Sequence, residues 1–263
     1  VGSLAGHVVI VTGAARGIGA AVAAQIVAEG GYAVLTDVKD DEGAVVAAEI
    51  GDRACYRHLD VTNPAQWQSV VTGIVAGHGR LDGLVNNAAI SSVTGGPCDF
   101  ATVSLDEVRT VLEINVMGMI AGIQTVVPHM IRARSGSIVN FSSTGGFRAV
   151  GGFGPYATSK FAVRGLTKAF AAELGVWDVR VNSVHPGHVL TPMRRIAIAR
   201  ESTISRITST KPLGRDGQPE EVARLTTFLL SPLSSYCTGS EFLADGGLLA
   251  GTRPTPVDDV GEA

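Results

Sequence analysis

The sequence predicts an α/β fold, a doubly wound parallel sheet of about seven strands with helices on both faces. Three observations predict it. Short β-branched runs alternate with longer stretches of helix formers from His7 to Ala244. The first run ends in a glycine-rich turn, Gly13-Ala14-Ala15-Arg16-Gly17-Ile18-Gly19, that opens directly into a helix. No fixed-period repeat and no linker-like segment interrupts the alternation, so residues 1–250 read as one domain and 251–263 as a polar tail.

Each element follows from its own residues. His7–Thr12 is a β-branched run suited to a buried strand, and Ala20–Glu29 after the turn is rich in helix formers. Tyr32–Thr36 reads as the second strand, Asp41–Ile50 as the second helix and Ala54–His58 as the third strand. Pro64 opens a helix to Ala76, in the first turn where its missing N–H is not needed. Leu81–Val85 is strand four, followed by the loop Asn86–Ala101. Ser104 and Glu107 have the spacing of a capping box for a long helix through Asn115 towards Pro128. Ser137–Phe141, Pro155–Leu174 and Val179–Val184 read as strand, helix and strand. Ile196–Thr208 fits one or two short helices over a cleft, Pro219–Leu230 a helix, and Glu241–Ala244 the last strand.

Composition excludes several function classes. With 45% hydrophobic and 17% charged residues the chain is globular in character, with too little charge for disorder. A net charge of −3 with no basic run argues against nucleic acid or an anionic membrane as partner. The longest apolar runs fall short of the roughly 20 residues a membrane span needs. No charged-then-apolar leader precedes the first strand, so a cytoplasmic location is expected. Cys55, Cys98 and Cys237 form no CxxC pair, which suits a reducing compartment and small buried hydrophobes.

The chemistry gathers at two places. Glycines 13, 17 and 19 let the backbone turn tightly and approach a pyrophosphate, which the free N–H groups of the helix start then face. A glycine turn that only packs helix on strand would look the same. Asp37 follows about 20 residues on, at a strand end, where a carboxylate accepts from ribose hydroxyls and repels a 2′-phosphate. It argues for NAD, whereas Arg16 could hold that phosphate and argues for NADP; the balance favours NAD. Tyr156 and Lys160 stand four residues apart, on one helix face. A phenol with a pKa of about 10 is a poor acid or base at neutrality, and a lysine cation in a partly desolvated cleft is expected to lower it, a shift of roughly three units being within reach of one well-placed cation and a second charge. Ser143 arrives from the strand Ser137–Phe141 and could hydrogen-bond the same oxygen. Alone, the pair also fits an exposed helix.

Taken together, Thr12–Gly19, Asp60-Val61, Asn86-Asn87-Ala88-Ala89, Asn115, Ser143, Tyr156–Lys160, Asn182 and Pro186-Gly187 resemble the short-chain dehydrogenase/reductase family. The resemblance runs from about His7 to Gly247, and its pattern is similar to NAD-linked bacterial secondary-alcohol and hydroxysteroid dehydrogenases. It implies a Rossmann-like fold. It also makes Tyr156 the acid/base for a carbinol oxygen and Lys160 its neighbouring cation and ligand of the nicotinamide ribose. Ser143 would steady the carbonyl oxygen, and Asn115 would hold a water linking Lys160 to solvent. Ser143 is assigned over Ser142 because it stands thirteen residues before Tyr156, the family-like separation. The implied cofactor contacts run from Gly13, Arg16, Gly17, Ile18 and Gly19 through Asp37 to Asp60 and Val61 at the adenine. Asn87 and Ala88 would line the ribose side, and Pro186, Val189 and Thr191 would surround the nicotinamide carboxamide. Ala89 stands where the family usually has glycine, a mild departure. Homo-oligomers, tetramer or dimer, are implied through Ser104–Pro128, Pro155–Leu174 and the C-terminal strand region.

His7, His58, His78 and His129 have no metal-ligand spacing, and no metal is expected. His188, beside Pro186-Gly187, is open to a substrate contact, and Asp40–Glu42 reads as a solvated turn. Specificity is expected from Ile90–Phe100, Gly145–Phe153 and a lid at about 188–210. Phe147, Val150, Phe153, Leu190, Met193, Ile196 and Ile198 there suit a bulky apolar alcohol or ketone of steroid, terpenoid or aryl type. The same residues could instead pack lid on core. Glycines 151, 152 and 154 predict a mobile or closely approached loop. Two other readings are an NADPH-dependent 3-oxoacyl reductase of the same family and a non-catalytic dinucleotide-binding regulator. The presence of both Tyr156 and Lys160 opposes the second.

Overall fold

The computed structural model describes residues 2–192, 194 and 211–252. Among them, strands β1 (Val8–Thr12), β2 (Tyr32–Asp37), β3 (Ala54–His58), β4 (Gly83–Asn86), β5 (Gly136–Phe141), β6 (Val179–Pro186) and β7 (Glu241–Ala244) form one sheet. The order is β3-β2-β1-β4-β5-β6-β7, with every pair parallel. Every residue of β1 is buried, as expected where helices cover both faces of a sheet and strands read as continuous apolar runs. Strand order reverses at β1 and β4. Loops leaving the carboxyl ends of these two strands diverge, and a crevice opens between them.

One face of the sheet is covered by α3 (Pro64–His78), α5 (Gly118–Ala133) and α6 (Gly154–Leu174), with Trp67, Ile123, Met130 and Val163 in its core. The other is covered by α1 (Gly17–Ala28), α2 (Asp40–Ile50) and α7 (Pro219–Leu230), with Val22, Ile26, Ala47 and Leu229 inside. Trp67 is fully buried and still satisfied, its Nε1 donating to Val61 O at 3.0 Å.

Several boundaries differ from the sequence reading, the following three among them. Helix α1 begins at Gly17, because residues of poor helix propensity are held in its first turn by the phosphate-binding style of turn before them. Helix α2 begins at Asp40, so Asp40, Asp41 and Glu42 are its first turn, where acidic side chains complement the helix dipole. Strand β6 runs on to Pro186, pairing Pro186 with Ala244 of β7. The capping box is only half made: Ser104 Oγ accepts from Glu107 N at 3.1 Å, but Glu107 Oε1 is buried with no hydrogen-bond partner among the described residues.

Helix α4 (Leu105–Leu112) continues through a π-helical turn, Glu113–Met117, into α5. The continuous run Leu105–Ala133 is long and apolar enough to span a membrane by length and composition, contrary to the reading of short apolar runs. Its Val111, Ile123, Val126 and Met130 are spent on the protein core. The expected helices at Ile196–Thr208 and the tail beyond Thr252 lie outside the described residues.

Candidate active site

The crevice is built first from the end of β1. The chain leaves Thr12 through Gly13 (φ 63°) and re-enters helix at Gly17 (φ 61°), both left-handed. A Cβ on Gly13 would stand 2.8 Å from Ala88 Cα, and one on Gly19 only 2.3 Å from Gly13 O. The start of α1 is therefore pressed against the turn, with open space left for a ligand's phosphates. Thr12, given no role of its own in the sequence reading, ties this turn to the loop after β4. Its Oγ1 accepts from the N–H groups of Asn87 and Ala88, each at 3.0 Å. Asn87 Nδ2 returns bonds to Thr12 O at 2.9 Å and Gly13 O at 3.0 Å.

Asp37 closes the end of β2 against the same turn. Its Oδ2 accepts from Ala15 N at 3.1 Å and its Oδ1 from Val38 N at 2.8 Å. The two nearby cations lean away from it onto one carboxylate: Arg16 lies 4.0 Å and Lys39 2.5 Å from Glu42. Asp60 Oδ1 accepts from the N–H and hydroxyl of Thr62 at 2.9 and 2.8 Å, which fixes the turn after β3.

The reactive groups come from β5 and α6. Ser143 leaves β5 in extended conformation, and its Oγ accepts from Gly145 N at 3.0 Å. Both Ser143 Oγ and the Tyr156 ring flank Gly145, where a Cβ would meet them at 3.5 and 3.4 Å. Ser142 is turned the other way and donates to Lys160 O at 2.8 Å. Lys160 is 3% exposed; its Nζ donates to Phe141 O at 2.8 Å and lies 5.5 Å from the centre of the Tyr156 ring. Burial pushes the Lys160 ammonium down to about 8. Burial also raises the Tyr156 phenol above its ordinary value, with a hydrogen bond to Ser143 pulling it partly back. The expected downward shift is thus reversed in the free protein, because the ammonium is committed to a backbone carbonyl and desolvation outweighs it.

Asn115 sits in the π turn, 1% exposed. Its Oδ1 accepts from Ile90 N at 2.9 Å, and its Nδ2 donates to Ile90 O at 2.8 Å and Ser159 Oγ at 3.0 Å. Ser159 in turn donates to Tyr156 O at 2.7 Å. Asn115 therefore fastens the loop after β4 to the helix turn that carries Tyr156, and a π turn is a frequent device at such places. Ser159 was another residue the sequence did not single out.

All the expected site residues except Gly19 and Asn115 line a single cleft of about 650 Å³. Asp37 and Asp60 lie on its β2–β3 side, and Ser143, Tyr156 and Lys160 on its β5–α6 side. Of the expected specificity residues, Val150 and Phe153 line this cleft. Phe147 does not; it is sandwiched between the Arg164 guanidinium at 3.9 Å and the His185 ring at 4.8 Å. Leu190 lines a separate surface groove beside α1 and α2. Met193, Ile196 and Ile198 lie outside the described residues. The glycine loop is closely approached: Cβ atoms on Gly152 and Gly154 would come within 2.7 Å of Pro97 and 2.2 Å of Phe100. Leu248 and Leu249 line the cleft unforeseen, as does Arg148, a charge in a region expected to be apolar. Burial holds His185 and His188 neutral, each down to about 4.

Known proteins share this architecture. The family described as enoyl-(acyl carrier protein) reductase matches residues 13–249. The chain is 45% identical over 250 residues to 3-alpha-(or 20-beta)-hydroxysteroid dehydrogenase of Mycobacterium tuberculosis (strain H37Rv), covering 95% of this chain and 92% of that one. It is 40% identical to trans-4-hydroxycyclohexanecarboxylate dehydrogenase of Sinomonas cyclohexanicum, covering 95% of each. The crystal structure of levodione reductase superposes with a TM-score of 0.89 at 30% identity, covering 94% of this chain and 98% of that one.

Proposed function

This chain belongs to the short-chain dehydrogenase/reductase family and is an oxidoreductase with a nicotinamide dinucleotide cofactor, and we propose that it interconverts a bulky apolar secondary alcohol and its ketone with NAD(H), Tyr156 acting as acid and base. One observation carries the reading. Ser143, Tyr156 and Lys160 meet on the wall of the same cleft that holds the glycine turn and Asp37.

The residues present fit the cofactor. Gly13, Gly17 and Ile18 line the cleft where α1 begins, and a Cβ on Gly13 or Gly19 would strike Ala88 or Gly13, so the turn stays tight beside the helix start that would receive the pyrophosphate. Asp37 is the ribose acceptor in this reading, and Asp60 and Val61 flank the adenine. Pro186, Val189 and Thr191 would surround the carboxamide in this reading, on a segment that the bridge of Val189 to Gly217 ties down. When bound, the nicotinamide supplies the hydride acceptor or donor. The rest is done by this chain. Tyr156 gives its proton to a ketone oxygen or takes the proton of an alcohol, while Ser143 holds the same oxygen. Lys160 supplies positive charge under the ring and a ligand for the nicotinamide ribose. Both donor hydrogens of the Asn115 amide are already used, so a water held by this residue would bind its remaining lone pair or its backbone carbonyl.

NAD is favoured over NADP because Asp37 would repel a 2′-phosphate and the adjacent cations are already paired with Glu42. The same feature stands against an NADPH-dependent 3-oxoacyl reductase. Steroid or other cyclic alcohols are the substrate class, supported by relatives named for a hydroxysteroid and a hydroxycyclohexane acid. A homo-oligomer and a cytoplasmic location complete the reading. Support for the first comes from Leu105 at 68% and Phe161 at 44% exposure on the helices expected to pair, and light scattering would test it. The test of the reaction is Tyr156→Phe. Turnover of secondary alcohols should fall by at least about 10²-fold while NADH binding, followed by fluorescence, is retained. Undiminished turnover in this variant removes Tyr156 from its role.

A further inference from the structure

The mouth of the cleft holds a buried chain of polar groups that the hydride-transfer chemistry does not use. Arg194 Nη2 lies 3.2 Å from His188 Nδ1. A guanidinium can only donate, and it does not lose its proton in proteins, so Nδ1 of His188 must be the acceptor. That leaves one possible state for the ring: neutral, with its hydrogen on Nε2. Arg194 is itself aimed by Asp216, whose Oδ2 accepts from Arg194 Nε at 3.2 Å. Asp216 also takes the ammonium of Lys211, which is 1% exposed. Arg194 and Asp216 are only 11% and 8% exposed, so this alignment is not a passing surface contact.

His188 lines the cleft, and its Nε2 has no hydrogen-bond partner among the described residues. Its charged neighbours agree with a neutral ring. Burial is the largest influence, followed by the cations Arg194 and Lys211; Asp216 opposes them and Arg148 adds to them. Arg148 and Arg194 line the cleft as well, whereas the carboxylates among the described lining residues are Asp37 and Asp60, at the β2–β3 end. Around His188 the wall therefore offers donors.

We propose that His188 is a specificity-determining residue, donating from Nε2–H to a second oxygen on the substrate, remote from the one undergoing redox, and that Arg194, held by Asp216, is the positioning residue that sets this polarity. The inference rests on the reading of the cleft as an alcohol/ketone redox site. It narrows the substrate class from apolar cyclic ketones to those carrying a second acceptor. A substrate lacking that acceptor leaves a partly buried N–H without a partner, which is costly in a protein cleft.

Two measurements test it. The first compares kcat/KM for matched ketones with NADH: cyclohexanone against cyclohexane-1,4-dione, and a fused bicyclic ketone against its diketone. Beyond the factor of two from counting equivalent carbonyls, the wild-type enzyme should prefer a diketone by about tenfold. His188→Phe should erase that preference through KM, and His188→Gln, which restores an N–H donor, should recover most of it. A preference unchanged in His188→Phe, or absent in the wild type for both pairs, overturns the proposal. The second is nitrogen-15 NMR of the histidine-labelled full-length protein without substrate. The His188 signal should report the Nε2–H tautomer, uncharged from about pH 6 to 8, and Arg194→Met should mix the tautomers and raise the pH at which the ring becomes charged. An Nδ1–H tautomer in the wild type refutes the mechanism of polarity. If the wild-type enzyme reduces no ketone at all, the redox reading fails, and the tautomer still decides whether Arg194 sets His188.

Discussion

Replacing Lys160 with Met should make the protein more stable at neutral pH while disabling it. The side chain is 3% exposed and its ammonium is held at about 8, down from 10.5, with burial as the cause. That fall corresponds to about 3 kcal/mol of folding free energy spent on keeping a buried charge. The sign follows from proton counting. Between 8 and 10.5 the unfolded chain holds the lysine proton and the folded chain does not, so stability rises with pH through this window. The cost is complete below 8 and absent above 10.5. Methionine removes the charge but also the bond from Nζ to Phe141 O, a loss of about 1 kcal/mol that does not vary with pH. Lys160→Met should therefore gain about 2 kcal/mol near pH 7 and lose about 1 kcal/mol near pH 11. Urea unfolding of both proteins at fixed protomer concentration, at several pH values across the window, measures the difference. A difference that stays constant from pH 7 to 11 would refute the claim that Lys160 is destabilised by burial.

Further outcomes follow from the same geometry. Asp37→Ser removes the cleft-lining carboxylate proposed to bind the ribose and should shift the KM ratio of NADH to NADPH towards NADPH by at least about tenfold; an unchanged ratio means Asp37 does not set cofactor choice. Gly19→Ala places a Cβ 2.3 Å from Gly13 O and should lower cofactor affinity and stability together, read by fluorescence titration and thermal unfolding. Asn115→Ala leaves both polar groups of the Ile90 backbone without their partner and should cost about 2 kcal/mol in urea unfolding; a loss below about 0.5 kcal/mol shows that the clamp is idle.

Much of this was legible because buried parallel strands carry an unmistakable residue pattern. His7–Thr12 and Ser137–Phe141 read as strands without ambiguity, and the glycine turn between β1 and α1 marked the crevice. Other features depend on contacts between residues far apart in the chain. Thr12 accepts from Asn87 and Ala88 only because β1 and β4 are neighbours in register, and nothing local to Thr12 announces it. The π turn at Asn115 has no compositional mark, since one extra residue in a helix changes the hydrogen bonding and leaves the propensities alone. Loop side chains were least legible. Phe147 and Leu190 are apolar residues in the right segments, yet Arg164 captures the first and the far side of α1 the second. Leu248 and Leu249 reach the cleft from beyond β7, where no periodicity points.

The Tyr156–Lys160 pair is where sequence and structure disagree about chemistry, and the disagreement can be measured. Sequence reasoning has the lysine cation, aided by a second charge, pulling the phenol down towards neutrality. The structure has burial raising it, with Lys160 turned to Phe141 O. A phenol held protonated is already the form that a ketone needs from its acid. Taking a proton from an alcohol is harder, and it needs extra positive charge beside the ring, of the kind an oxidised nicotinamide carries. Oxidation releases a proton, so the apparent equilibrium constant rises tenfold per pH unit, a dependence shared between the two kcat/KM values and the two cofactor affinities. The pKa of the phenol decides which direction carries that dependence. A raised value leaves kcat/KM for the ketone flat between about pH 6 and pH 8 and puts the rise on the alcohol. A phenol ionising near neutrality in the reduced complex would do the reverse, with ketone reduction falling about tenfold per unit above pH 7. Initial rates in both directions over that range separate the two. A falling reduction limb would mean that the lysine overcomes desolvation after all.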